Sequence, residues 1–218
     1  MIIYCAANKK YFDLYFDLWA DQLQKYYPEE RKVIALYQGT QDDIAHANSK
    51  GVEVKDVSND KRFPSNPIVK HFYLLRWMHL PYEYGVNILE TQVNCLAVKR
   101  QEINSDNWGV DHARISRWKV KKGGKAYKGG ISAAVFTPEA AKQVTEQATL
   151  MVKNPPDSDH EMNLWQEQNL SFVSIIAEQQ FKQLNKRLTE ETCWVTAGTS
   201  QHYTAEEKIK VLKHYINE

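Results

Sequence analysis

The amino-acid sequence predicts an α/β fold, a single domain with a mainly parallel central sheet flanked by helices. Short apolar runs typical of buried strands alternate with segments of helical period along most of the 218 residues. The sequence has no internal repeat and no low-complexity linker, so we expect residues 1–218 to form one domain. A chain of this size buries about 70% of its unfolded surface, which is enough for a core without disulfides.

The N-terminal part of the chain alternates strand and helix. Met1–Ala6 is an apolar, β-prone run, and the helical period that follows it ends before Pro28. Lys32–Tyr37 and Val52–Val57 predict two further strands, with a short helix over residues 42–50 between them. The residues expected on the buried face of the first helix are Phe12, Tyr15, Phe16, Trp19, Leu23 and Tyr26.

The rest of the chain continues the alternation. A helix is expected over residues 68–79, because a proline precedes it and another ends it. Asn87–Val98 is predicted as the central buried strand, interrupted only by the polar triplet Glu90-Thr91-Gln92. The elements expected after it are, in order, a strand over 130–136, a helix from Thr137, a helix from Ser158, a strand over 171–176, a strand over 193–197 and a helix from Thr204.

Charge and cysteine content narrow the classes of protein. The chain has 28 Lys and Arg against 27 Asp and Glu, so no overall field attracts it to nucleic acid or to an anionic membrane. Cys5, Cys95 and Cys193 each lie in an apolar run and are expected to be reduced core thiols of a cytoplasmic protein. The sequence has no apolar stretch of membrane-spanning length. It also lacks the motifs of P-loop ATPases, dinucleotide oxidoreductases, zinc hydrolases and serine hydrolases.

Five segments occur in an order and spacing that resemble a known family. They are the first strand running into AANKKYF at residues 6–12, the helix with Lys70, the strand holding ETQ at residues 90–92, GGISAAVF at residues 129–136 and SDHEMNLW at residues 158–165. The sequence resembles the nucleotide-sugar-dependent glycosyltransferases of GT-A fold, a Rossmann-type architecture. The resemblance covers most of the chain and implies transfer of a sugar from a nucleoside diphosphate to an acceptor hydroxyl.

The resemblance implies a nucleotide site at the end of the first strand, where the family has a short loop and a tyrosine near the base. Parallel strands present ligand sites at their carboxyl ends. Tyr11 also fits a core position on the aromatic face of the first helix, so both interpretations stay open here. The residues that match the family's nucleotide site are Cys5, Ala6, Ala7, Asn8 and Tyr11.

The family ends its central strand with an Asp-x-Asp motif that holds Mn²⁺ or Mg²⁺ on the diphosphate. This chain has Glu90-Thr91-Gln92 in that place. Glu90 can ligate a divalent ion through one carboxylate, with Gln92 as a weaker, neutral ligand near the diphosphate. Two alternatives stay open: Glu90 and Gln92 face solvent at a strand end, or the site is metal-independent. In the second alternative the diphosphate is neutralised by Lys70, Arg76 or His202.

Glycosyl transfer also needs a carboxylate close to the sugar or the acceptor. Asp159 and Glu161 are the candidate catalytic residues, because they follow a Pro-Pro break in the first turn of a predicted helix and match the acidic pair of the family. A second interpretation is structural: acids in a first turn complement the helix dipole, and Glu161 completes a capping box with Ser158.

Residues 114–128 carry seven basic side chains and no acidic one, interleaved with aromatic rings. Such a composition suits phosphate contacts and base stacking, although a solvated loop also explains most charge runs. We expect this segment to bind an anionic acceptor, nucleic acid first and an anionic glycan second. The candidate acceptor-binding residues, including two glycines at the family's acceptor side, are Arg117, Trp118, Lys121, Lys122, Lys125, Gly129 and Gly130.

The sequence therefore predicts a cytoplasmic glycosyltransferase that uses a nucleoside-diphosphate sugar, UDP-sugar first. Its size and basic segment suggest a compact enzyme of the kind that phages use to decorate modified DNA bases, in which case it acts in the host cytoplasm. The alternative is a non-catalytic nucleic-acid-binding module that uses the segment 114–128 on an α/β scaffold.

Overall fold

The computed structural model describes residues 1–67, 69–100, 118–120, 126–128, 133–153, 194–196 and 204–217. Its strands are β1 (Ile2–Asn8), β2 (Arg31–Tyr37), β3 (Val52–Asp56), β4 (Ile88–Thr91), β5 (Cys95–Ala97), β6 (Trp118–Val120), β7 (Ala126–Lys128), β8 (Ala133–Phe136) and β9 (Trp194–Thr196). Its helices are α1 (Lys9–Tyr26), α2 (Gln41–Ser49), α3 (Val69–Met78), α4 (Pro138–Met151) and α5 (Ala205–Asn217), with a 3-10 turn at Tyr82–Tyr84.

A five-stranded, mainly parallel sheet forms the centre, with the strand order β3-β2-β1-β4-β8. Strands β1 to β4 are parallel, and only β8 runs antiparallel to its neighbour β4. Two antiparallel pairs, β5 with β9 and β6 with β7, lie outside this sheet. The predicted α/β class with a mainly parallel sheet is therefore confirmed.

Apolar side chains project from both faces of the sheet and are covered by helices, as a doubly wound fold requires. On one face, Ile3, Cys5 and Leu89 pack against α1 and against Leu212 of α5. On the other face, Ile2, Tyr4 and Ile88 pack against α3 and α4. The predicted aromatic stripe of α1 is confirmed, since Phe12, Tyr15, Phe16, Trp19 and Leu23 are buried and Tyr26 is half-buried.

Side-chain caps fix where the helices begin. The Asn8 side chain accepts a hydrogen bond from the Tyr11 amide at the start of α1. Thr137 caps α4 before Pro138, as the sequence predicts. At the start of α5, the Thr204 amide donates to Glu207 at 2.6 Å and the Glu207 amide donates back to the Thr204 hydroxyl at 3.2 Å. This capping box confirms the predicted last helix.

The predicted single strand over residues 87–98 is wrong. The chain forms β4 over Ile88–Thr91, turns at Gln92–Asn94 and continues as β5 over Cys95–Ala97, which pairs in a different sheet. The turn forms where the polar triplet ends the apolar run, and the Cys95 amide donates to the Gln92 carbonyl at 2.8 Å. The elements predicted from Ser158 and over residues 171–176 lie outside the described residues.

Cys5 and Cys95 are buried and form no disulfide, as predicted, and Cys193 lies outside the described residues. Among the helices that the structure describes, none has the length and apolarity required to span a bilayer.

Candidate functional site

The carboxyl end of β1 is where the topology opens the sheet. β1 pairs with β2 as far as Asn8, but within the described residues it pairs with β4 only as far as Tyr4, opposite Glu90. The chain winds outward from β1 through β2 to β3 on one side and through β4 to β8 on the other. Such a switch point is where open α/β sheets bind ligands. The last part of β1, Cys5–Asn8, therefore borders the candidate site.

Tyr11 lies in the first turn of α1, directly after this end of β1, and its side chain is 44% exposed. Its ring is 5.8 Å from the Tyr15 ring, which is buried. The exposure excludes the core interpretation of Tyr11, because the buried stripe of α1 lies on another face of the helix. An exposed ring held by a buried ring provides a flat surface on which a nucleotide base can stack.

The other β1 residues matched to the nucleotide site contribute in different ways. Cys5 and Ala7 are buried in the core on the α1 face, so their side chains are not available to a ligand. Ala6 and Asn8 are half-buried, and the Asn8 side chain is already engaged as the α1 cap. Small side chains here leave room for close approach to the backbone. By capping α1, the Asn8 side chain positions Tyr11.

Glu90 is fully buried, with no exposed area. Its carboxylate accepts two hydrogen bonds from Arg76 on α3, one from Nε to Oε1 at 2.6 Å and one from Nη2 to Oε2 at 2.5 Å. The guanidinium of Arg76 also stacks 4.1 Å from the Trp77 ring centroid. Burial raises the pKa of Glu90 above its ordinary value, and the Arg76 charge and hydrogen bonds oppose that rise.

This geometry corrects one expectation about Glu90 and one about Arg76. Glu90 and Thr91 do not face solvent, because both are buried inside the strand. Arg76 does not reach a diphosphate in solvent, since it is 6% exposed and holds Glu90 instead. The alternation of side chains along a strand explains the outcome, because it directs successive residues of β4 to opposite faces of the sheet.

Thr91 supplies a second buried contact, on the opposite face. Trp19 of α1 donates from Nε1 to the Thr91 hydroxyl at 2.9 Å, and both side chains are fully buried. The contact ties the helix that carries Tyr11 to the end of β4. Gln92, the first residue after β4, is half-buried and stands at the carboxyl edge where the strand ends.

Glu90, at the position where the resemblance implies a metal ligand, does not fit a divalent ion, and the described residues offer no cluster in its place. They contain no group of three or more His, Cys, Asp or Glu side chains able to hold an ion. Both oxygens of Glu90, the carboxylate at the matching position, accept hydrogen bonds from a neighbouring cation. Mg²⁺ and Mn²⁺ need carboxylate oxygens that are open to the ion and its waters.

Several predicted site residues fall outside what the structure describes. Lys70 lies in the first turn of α3, but its side chain is outside the described part. Trp118 opens β6, which pairs with β7, and again only the backbone is described. The remaining candidates outside the described residues are Asp159, Glu161, His202, Arg117, Lys121, Lys122, Lys125, Gly129 and Gly130.

The two contacts that fix the end of β4 were not predicted from the sequence. Arg76 and Glu90 are opposite charges, each inside an apolar run, and that pattern signals a buried pair. Trp19 and Thr91 are 72 residues apart and carry no comparable signal.

The end of β2 has an unusual backbone conformation. Gln38, which follows β2, has a φ of 60°, and its amide donates a hydrogen bond to the Ser58 hydroxyl at 2.8 Å.

Comparison with solved structures identifies the architecture. The glycosyltransferase GlyE of Streptococcus pneumoniae TIGR4 superposes with a TM-score of 0.50 at 10% identity, over 84% of this chain and 44% of that chain. The chain has a GT-A-type fold. The galactosyltransferase LgtC, solved in complex with donor and acceptor sugar analogs, aligns with a TM-score of 0.45 at 14% identity, over 75% of this chain and 69% of that chain.

The match to GlyE is partial in length and distant in sequence, so it establishes the GT-A-type fold alone. This chain spans less than half the length of GlyE. No protein-family model matches the sequence, and no curated protein does.

Proposed function

We propose that this chain is a glycosyltransferase that moves a sugar from a nucleoside-diphosphate sugar, UDP-sugar first, to an acceptor hydroxyl. The observation that carries the proposal is the exposed Tyr11 ring at the switch point, where β1 extends beyond its pairing with β4. A GT-A-type fold with a stacking surface at this edge has what a nucleotide donor requires. Cys5 and Cys95 are buried and form no disulfide, which agrees with a reducing compartment, and we propose that the reaction takes place in the cytoplasm.

The proposed site divides the work among three groups. The Tyr11 ring stacks on the base, and backbone groups at the end of β1, around Ala6 and Asn8, border the ribose and the diphosphate. Gln92 lies at the diphosphate end of the site. Lys70 is the proposed cation that binds the phosphates, and His202 is the second candidate for this role.

Asp159 is the proposed carboxylate at the sugar or acceptor, and Glu161 is its neighbour. Such a carboxylate removes the acceptor proton, and the cations stabilise the leaving diphosphate.

The proposed acceptor is polyanionic, DNA first. Its support is the segment 114–128, with seven cations and no acid in a chain whose net charge is +1. If the donor site and this segment act together, the product is a glycosylated base, as in phage DNA modification.

A melting-temperature screen tests the donor. A ligand at a hundred times its dissociation constant adds about 2.7 kcal/mol to the free energy of unfolding. We expect UDP or a UDP-sugar to raise the melting temperature. Tyr11→Ala should weaken binding roughly 5- to 150-fold, since stacking on an aromatic side chain contributes about 1–3 kcal/mol per base. The matched control is Tyr26→Ala, at the far end of the same helix and roughly 22 Å away at 1.5 Å per residue, which should bind normally.

A second arm tests the acceptor and the rival function. Replacing Lys121, Lys122 and Lys125 by Glu should abolish binding of a DNA duplex and leave the UDP response unchanged. A chain that responds to oligonucleotide but to no nucleoside diphosphate is a nucleic-acid-binding module instead. A chain that binds UDP but no nucleic acid retains the donor proposal and loses the acceptor proposal.

A further inference from the structure

The carboxylate that ends β4 already has a cation. Arg76 donates to both oxygens of Glu90 in a side-on, two-point contact, and the pair is buried, with the two side chains 8% and 0% exposed. Two-point guanidinium–carboxylate contacts are stronger than neutral hydrogen bonds and fix the geometry of both side chains. A buried carboxylate in this contact is neutralised from within the protein.

We propose that the cation on Glu90 is Arg76 and not a divalent ion, so that the chain binds its nucleoside diphosphate without a metal ion on Glu90. This inference rests on the proposed function, because it specifies the cofactor requirement of that same site. Three features of the fold support it.

The first feature is the direction of the Glu90 side chain. Glu90 is not the last residue of β4, since Thr91 follows it in the strand. It is paired with Tyr4 in the parallel register of β1 and β4, and Tyr4 packs on the α3 face. Thr91 faces α1 instead, through Trp19. Glu90 therefore points across the sheet face toward α3, whereas a metal at the nucleotide site has to lie off the carboxyl edge.

The second feature is the set of groups close to the pair. Tyr4 and Trp77 are fully buried, and in the described part of the chain the Tyr4 hydroxyl and the Trp77 Nε1 have no hydrogen-bond partner. Neither an indole nor a neutral phenol is a ligand of Mg²⁺ or Mn²⁺. Burial, followed by the Glu90 charge, raises the pKa of Tyr4 and keeps its phenol protonated. Among the described neighbours, Tyr4 and Trp77 therefore do not complete a coordination shell around a metal ion on Glu90.

The third feature is the charge presented at the edge. Two free carboxylates at this position would repel a diphosphate unless a metal ion bridged them. Here the ion pair is neutral overall, and Gln92, which follows β4, carries no charge. The end of β4 therefore offers no carboxylate charge for a metal ion to neutralise.

The experiment compares UDP binding by calorimetry in Mn²⁺ and in EDTA. We expect the dissociation constants to agree within about twofold. The inference would be overturned if UDP affinity fell tenfold or more in EDTA, if Mn²⁺ restored it in wild type, and if Mn²⁺ had no such effect in Glu90→Gln. That result would leave the proposed function standing. Absence of UDP binding in both buffers contradicts the proposed function.

A second readout decides the inference in either case. Free Mn²⁺ gives an electron paramagnetic resonance signal that is lost on binding, so Mn²⁺ alone can be titrated into wild type, Glu90→Gln and the Arg76→Met/Glu90→Gln double variant. We expect the same number of bound ions in all three. A site present in wild type and absent from both variants would show that Glu90 is a ligand. The double variant removes both charges together, so it tests the metal without leaving Arg76 buried and unpaired.

Discussion

At the end of β4, the two faces of the sheet carry different kinds of polar contact. On the α1 face, Thr91 and Trp19 form one neutral hydrogen bond of 2.9 Å. On the α3 face, Glu90 and Arg76 form a buried ion pair. Both contacts satisfy polar groups that the core would otherwise leave unpaired. They differ in what happens when one partner is lost, since an unpaired buried charge is far more costly than an unpaired hydroxyl.

The α3 face of the sheet also carries a buried histidine whose pKa is shifted. His79, just after α3, is 3% exposed and its Nε2 lies 3.3 Å from Asp60. Desolvation by burial lowers the pKa of His79 to about 4, and the Asp60 charge opposes that shift. The α3 face thus combines a buried ion pair with a buried neutral histidine. We expect changes of charge and of pH to act through this face.

The largest expected effect is that of Arg76→Met. It leaves the Glu90 carboxylate buried without its cation and should lower the free energy of unfolding by about 3–5 kcal/mol. Adding Glu90→Gln should recover much of that loss, because the pair is then removed as a unit. Chemical denaturation of the two single variants and the double variant gives the coupling.

The exposed pair of Lys50 and Asp21, joined at 2.7 Å, is the matched control. Asp21→Asn should cost less than about 1 kcal/mol, because solvent screens an exposed pair. Equal costs for Arg76→Met and Asp21→Asn would show that the Glu90 contact is not a buried ion pair.

The second effect is loss of stability in acid through His79. The unfolded histidine binds a proton near pH 6.5 and the folded one only near pH 4. Between these values the unfolded chain holds more protons, so stability falls as pH falls from 6.5 to 4, by up to about 3 kcal/mol. Denaturation at pH 7 and pH 4.5 should show a smaller difference for His79→Gln than for wild type. An identical difference would mean that His79 titrates normally in the folded chain.

The smallest of the three effects is on the α1 face. Thr91→Val keeps the shape of the side chain and leaves the Trp19 Nε1 without its acceptor, which should cost about 1–3 kcal/mol. Thr91→Ser keeps the hydroxyl and should cost less than Thr91→Val. If the two variants unfold at the same denaturant concentration, the hydroxyl contributes nothing and the contact is packing alone.

The elements of the fold follow from local patterns, and for this reason the sequence predicts them well. Apolar runs and helical spacing predict β1, α1, β2 and β3, and the Thr204–Glu207 spacing predicts the start of α5. Such signals lie within a few neighbouring residues, so they can be read without knowing the three-dimensional arrangement.

The buried contacts at the end of β4 depend on packing between distant parts of the chain. In the sequence, Glu90, Thr91 and Gln92 form one polar triplet. In the structure, the Glu90 side chain contacts α3, the Thr91 side chain contacts α1, and the strand ends before Gln92. The predicted strand over residues 87–98 was wrong for the same reason, since an apolar run does not reveal a change of sheet. The position of Tyr11 was predicted through the family resemblance. Its exposure became visible only when the buried face of α1 was known.

A crystal structure of the chain grown with UDP shows directly whether the switch point between β1 and β4 is the donor site. We expect the uracil ring to stack on Tyr11 and the diphosphate to lie beside the turn that begins at Gln92. We also expect the ion pair of Arg76 and Glu90 to stay intact beneath the nucleotide. A nucleotide bound elsewhere would contradict the proposed donor site, and a metal ion ligated by Glu90 with Arg76 displaced would contradict the inference that Arg76 is the cation on Glu90.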